Sequence, residues 1–151
     1  MNAKILFPLV AFGLIVVMAV YFLINPSYEK SLEAKYYYET GEYQKAYELA
    51  NEAFSIDIYN RMASTIMAQS QISMKYKKYV DQAKEYLREI NTIASKQSIS
   101  DADRIKIKLM SEIMVGLYVK LSPSVITDEA LVKEAATYCK NFEQLLEKVN
   151  R

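Results

Sequence analysis

The sequence has no histidine and no tryptophan, and its 151 residues include one cysteine, three glycines and three prolines. Without histidine, the commonest general base and the commonest metal ligand are both missing, so triad and zinc chemistry are not expected. A single cysteine cannot form a redox pair, and Cys139 has no base of the usual kind to raise its thiolate fraction. Cys139 therefore reads as a small packed residue between Tyr138 and Phe142, the alternative being a disulfide between two copies in an oxidising compartment. The glycines are isolated from one another, which excludes a glycine-rich phosphate loop. Asp101 and Asp103 read as charges at a helix start. No catalytic, cofactor-binding or metal-binding residues are expected, and the chain does not read as an enzyme. An enzyme subunit working with carboxylates alone would need two or more of them gathered in a cleft.

What the chain does have is one long apolar run. Residues 5–24, ILFPLVAFGLIVVMAVYFLI, contain no charged side chain. As a helix the run would be about 30 Å long, the thickness of a bilayer's hydrocarbon core. Pro8 and Gly13 are tolerated in membrane helices, and Tyr21 with Phe22 suits the interfacial aromatic belt. The reading is a signal anchor over 5–24 behind a short tail, 1–4. The competing reading is a cleavable signal processed near Val17-Met18-Ala19, which would leave Val20 as the mature N-terminus. Against cleavage, the run stays apolar through Ile24, where a signal peptide would have turned polar. Lys4 and the amino terminus flank the run closely, whereas Lys30 and Lys35 are farther off and interleaved with Glu29 and Glu33. The positive-inside rule then puts the N-terminus in the cytoplasm of an inner membrane and the body in the periplasm.

The body, residues 25–151, is about the size of one domain. Of the 19 basic residues only Lys4 precedes it, which leaves 18 against 18 acidic ones. A neutral body has no basic stripe for nucleic acid. The short cluster Lys75, Lys77 and Lys78 around Tyr76 reads as a solvated turn.

Only Gly41, Gly116, Pro26 and Pro123 punctuate the body, too few for a many-stranded fold, so the class is all-α. Asn25-Pro26 is a helix start, and Gly41 breaks the chain. Tyr43, Ala46, Tyr47, Ala50, Ala53 and Phe54 follow at helical spacing, which makes 26–54 an antiparallel hairpin. Met62, Ala63, Ile66, Met67, Ser70 and Met74 form one further stripe. Tyr79, Ala83, Tyr86, Leu87, Ile90 and Ala94 form another, so 60–94 reads as a second hairpin turning near Lys77. Tyr43 and Tyr79, Ala46 and Ala83, and Ala53 and Ile90 are separated by a span within the range of about 20 to 50 residues expected of stacked repeats. The third pair, 100–150, begins at Ser98 or Ser100, carries Ile105, Leu109, Ile113 and Leu117 on one face, breaks at Leu121-Ser122-Pro123 and restarts at Thr127-Asp128. The last helix has the heptad-like seam Leu131, Ala135, Tyr138, Phe142, Leu145 and Val149. That seam either caps the helix stack or pairs with another copy, so homo-oligomerisation enters here.

At Ala34, Tyr37, Gly41, Tyr43, Ala46 and Ala53 the chain resembles a tetratricopeptide repeat, a hairpin unit of about 34 residues. Lys30 and Glu33 stand where that pattern has Trp and Leu, and Ile58 stands for its closing Pro. Behind the anchor read from residues 5–24, the resemblance implies a stack of about six antiparallel helices whose first-helix face holds a peptide or a partner's helix. By position, Tyr28, Ser31, Lys35, Tyr38 and Glu39 would face the groove in the first unit, and Thr65, Gln69 and Ile72 in the second. Thirteen tyrosines also suit a partner surface. By resemblance, a small anchored protein of this type is expected to be an accessory or scaffold subunit of an envelope assembly such as secretion, pilus or flagellar machinery. The alternative is a periplasmic chaperone or holdase for exported proteins. The expected partners are other proteins of a membrane complex and the bilayer itself.

Overall fold

The computed structural model describes residues 3–122 and 127–149, and at 3–6, 22 and 23 the backbone alone. Six helices make up the described chain, with no strand among the described residues: α1 Ala3–Ile24, α2 Pro26–Glu39, α3 Tyr43–Ile56, α4 Arg61–Ala94, α5 Asp101–Val119 and α6 Glu129–Val149. The helix starts follow from side-chain chemistry. Asn25 Oδ1 accepts from Ser27 N at 3.0 Å, with Pro26 in the first turn of α2. Ser100 and Asp103 form a reciprocal capping box at α5, Asp103 N donating to Ser100 Oγ at 3.1 Å and Ser100 N to Asp103 Oδ2 at 3.2 Å. Asp128 Oδ1 accepts from Ala130 N at 2.9 Å ahead of α6. Gly41, at φ 83°, closes α2 through Glu42 N donating to Tyr37 O at 2.9 Å; a side chain there would be strained in the left-handed region. Pro123, expected to help end α5, lies outside the described residues, as do residues 1 and 2 of the expected tail.

The chain forms two compact units, Met1–Gln71 and Ile72–Arg151, where one domain was expected. The expected hairpin over 60–94 is also absent, because α4 runs unbroken through Lys77 for 34 residues. There is no Gly or Pro in that stretch to stop it, and Lys77 pairs with Asp81 one turn on at 2.9 Å. Lys75, Lys77 and Lys78 are exposed while Tyr76 and Tyr79 are buried, so the lysines form the solvated face of a helix and not a turn. Five helices, not six, therefore follow residue 25 among the described residues.

In the first unit α2 and α3 form the expected antiparallel hairpin, with Ser27 at the start of α2 donating to Ala53 O at the end of α3 at 2.8 Å. Ala34, Ala46 and Ala50 are fully buried together with Ile66 of α4, and Tyr37, Tyr38, Leu49, Met62 and Met67 pack around them. Three alanines at the centre let the helices approach closely. Asn60 ties the three helices together from inside: its Nδ2 donates to Ser27 Oγ (2.8 Å), Ser31 Oγ (3.1 Å) and Ser27 O (3.2 Å), while its Oδ1 accepts from Ala63 N at 3.1 Å to cap α4. Ser31, expected in a groove, is instead fully buried in this node.

In the second unit the later part of α4 packs with α5 and α6. The rings of Tyr79 and Tyr118 lie 5.8 Å apart, and Lys84 pairs with Glu134 at 2.8 Å. Leu131, Ala135, Cys139 and Phe142 of α6 are buried, while Tyr138, Leu145 and Val149 are half-buried. The α6 seam is thus used within the unit. Cys139 is a packed thiol as expected, and burial raises its pKa, with Glu143 adding to the effect.

Candidate functional site

Along α1 every residue from Phe7 to Tyr21 is exposed, Phe7 by 79% and Phe12 by 67%, so over these positions no face of the apolar helix is covered by the described chain. Counted over the positions whose side chains are described, no single helix is long and apolar enough to cross a membrane. Phe7–Tyr21 and Pro26–Glu39 reach that length and composition only as a pair bent by 73°. At the bend Tyr21, Ile24, Asn25, Pro26 and Ile56 surround a hollow of about 410 Å³. Ile58 and Tyr59 in the α3–α4 loop are also exposed.

A second hollow, also of about 410 Å³, lies between α2 and the first turns of α4. Lys35, Tyr38 and Glu39 reach it from one helix, and Arg61, Met62, Thr65, Ile66 and Gln69 from the other. Each set recurs at three- and four-residue steps, so each is one helix face. The close α2–α3–α4 packing around Ala34 and Ile66 forms the floor. Met62, Ile66 and the Tyr38 ring give an apolar centre, and Tyr38 is braced edge-on by Tyr43 at 5.4 Å between centroids. Lys35 and Glu39 sit 3.7 Å apart on one rim. Arg61 on the other rim is exposed and enters no ion pair among the described residues.

Five of the partner-surface residues chosen from sequence, Lys35, Tyr38, Glu39, Thr65 and Gln69, therefore line one groove. Tyr28 is half-buried and does not line it, and neither does Ile72, which is half-buried at the start of the second unit. Sequence reasoning missed Arg61, Met62 and Ile66 as lining residues. Met62 and Ile66 belong to an apolar stripe in the sequence, and their spacing to Thr65 and Gln69 puts them on the same side of α4. Among the described residues, no three acidic or cysteine side chains gather closely enough to hold a metal ion. Compared with protein-family models, curated proteins and solved structures, the chain matches none.

Proposed function

We propose that the chain is a non-enzymatic, membrane-anchored interaction module that holds a segment of another envelope protein in the α2–α4 groove, as a scaffold subunit of a larger assembly. The observation that carries this reading is the convergence of Lys35, Tyr38, Thr65 and Gln69 on one groove with an apolar floor and charged rims. The anchor is α1 over residues 5–24, with the body on the periplasmic side. Its support is an apolar helix whose side chains from Phe7 to Tyr21 are all exposed, followed by an elbow at which Ile24 and Ile56 are exposed, as are Ile58 and Tyr59 in the next loop.

The groove chemistry specifies the kind of segment it fits. An aliphatic or aromatic side chain would enter between Met62, Ile66 and Tyr38, and a neighbouring carboxylate would meet Arg61. Anchoring keeps the module in a thin layer at the bilayer, which raises its effective concentration toward anything else held there. The tetratricopeptide-like hairpin would serve as a rigid frame that presents the groove in one shape.

The test places a photo-activated crosslinker at Thr65 in native membranes, with Glu48 on the exposed side of α3 as the control position. One discrete adduct at Thr65, lost in Arg61→Glu and absent at Glu48, is the expected result. A ladder of unrelated clients would favour the holdase reading. Equal labelling at both positions would remove the groove from the account.

A further inference from the structure

Helix α5 has two apolar faces, and only one is used inside the chain. Ile107, Met110, Ser111 and Met114 are buried. On the other side Ala102, Ile105, Leu109, Ile113 and Gly116 are all exposed, Ile105 by 67% and Leu109 by 55%. Sequence periodicity marks Ile105, Leu109, Ile113 and Leu117 as an apolar face, and the fold leaves the first three in solvent while half-burying Leu117.

The stripe advances by three, four, four and three residues, so it runs straight along the helix and reads the same in both directions about Leu109. A two-fold axis at Leu109, perpendicular to the helix, therefore maps the stripe onto itself. Leu109 meets Leu109, Ile105 meets the second copy's Ile113, and Ala102 meets the second copy's Gly116. Such self-complementarity is what an isologous contact requires.

Charge and backbone point the same way. Lys108 and Glu112 border one edge of the stripe, 4.0 Å apart within the chain. In the antiparallel pairing each copy's Lys108 comes alongside the other's Glu112, so that edge alternates in sign. On the opposite edge Lys106 is already held by Glu89 of α4. Gly116 has no explanation within the chain, because an added Cβ would meet nothing within 4 Å and its φ is not positive. Glycine weakens a helix interior. A glycine opposite an alanine lets two backbones approach closely, which gives the residue a role in the pair.

We propose that α5 is a self-association surface through which two copies of this chain pack antiparallel, centred on Leu109. This inference depends on neither the groove nor the anchor. A single helix-on-helix contact lies at the low end of specific interface sizes, so the association is weak and is best read by covalent trapping.

The test uses the full-length chain in mild detergent, with Cys139→Ala and one new cysteine at a time, under mild oxidation. Leu109→Cys should form disulfide-linked dimers about tenfold faster than Ile105→Cys or Ile113→Cys alone, because the axis raises its local concentration. A mixture of the Ile105→Cys and Ile113→Cys proteins should crosslink faster than either does alone, and adding Gly116→Leu should slow trapping at Leu109. In the otherwise natural chain, Leu109→Glu should lower the dimer fraction seen by sedimentation with helical content unchanged. Trapping at Leu109 no faster than at Tyr36→Cys, an exposed position on α2, would overturn the proposal. So would Ile105→Cys alone trapping as fast as Leu109→Cys.

Discussion

Asn60 Nδ2 lies 2.8 Å from Ser27 Oγ, and the same hydroxyl donates onward to Ala53 O at 2.8 Å, so one buried relay joins the starts of α2 and α4 to the end of α3. Asn60, Ser27 and Ser31 are all fully buried, so none of these groups can turn to water instead. The relay fixes how α4 leaves the hairpin, and the groove forms between those same two helices.

Asn60→Ala should therefore be among the costliest single changes in the first unit. It removes the α4 cap and leaves the Ser27 carbonyl and two serine hydroxyls short of a donor, a loss of about 3 kcal/mol from a cap and unsatisfied buried acceptors together. Asn60→Asp keeps the shape but replaces the donor with an acceptor, and it should cost a similar amount. Urea unfolding of the full-length chain, followed by circular dichroism, reads both. Midpoints within error of the natural protein would show that the relay carries little stability.

The local parts of this fold were legible in sequence, and its long-range parts were not. Asn25-Pro26, Gly41 and Ser100 announce their helix ends because capping and left-handed backbone are properties of a few adjacent residues. Lys35, Tyr38, Thr65 and Gln69 converge because each set follows its own helix spacing. The Asn60 node joins residues far apart in the chain, and no periodicity encodes it. At Lys77 a charge cluster was mistaken for a break, although Met74 to Tyr79 contains nothing that stops a helix. On α5 periodicity finds apolar stripes but cannot say which one the chain will cover.

Ser70 offers the opposite case to Asn60. Its hydroxyl is fully buried in α4, and no hydrogen-bond partner faces it among the described residues. Ser70→Ala removes an unsatisfied polar group at little cost in packing, and it should stabilise the protein by about 1 kcal/mol. An upward shift of the thermal midpoint checks this, and a downward shift would mean that the hydroxyl is satisfied in solution.

The start of α5 is sensitive to acid. Asp103 accepts from Lys96 Nζ at 2.7 Å and from Ser100, and these bonds lower its pKa from 3.8 to about 2. Because the folded-state value lies below the unfolded one, the stabilisation is present above about pH 4 and is lost as pH falls through about 2. Asp103→Asn should make the thermal midpoint less steep in pH between 4 and 2. Equal slopes in the two proteins would show that the capping carboxylate does not govern that window.

Alkaline pH acts through Tyr79. Its hydroxyl is buried with no well-placed acceptor among the described residues, and desolvation, with Cys139 and Tyr118 adding to it, raises its pKa far above the ordinary 10. A raised value favours the neutral phenol in the folded state, so stability is complete below pH 10 and declines above it. Tyr79→Phe should blunt that decline, and tyrosinate absorbance of the natural protein should contain a component that appears only with unfolding. If all thirteen tyrosines titrate before helicity is lost, Tyr79 is not the group responsible.

The anchor can be tested without disturbing the body, because Ile15 is exposed by 64% and no other part of the chain depends on it. An arginine at the centre of a spanning helix costs about 3 kcal/mol of insertion free energy. In water the same substitution on an exposed helix face costs almost nothing. Ile15→Arg should therefore move part of the protein from the carbonate-resistant membrane pellet to the supernatant, with the helical content and thermal midpoint of the body unchanged. Adding a second arginine at Phe12 should move more of it. A natural chain already in the supernatant would mean that α1 is covered by another protein in water and not by lipid. The groove and the α5 surface would then be judged on their own tests.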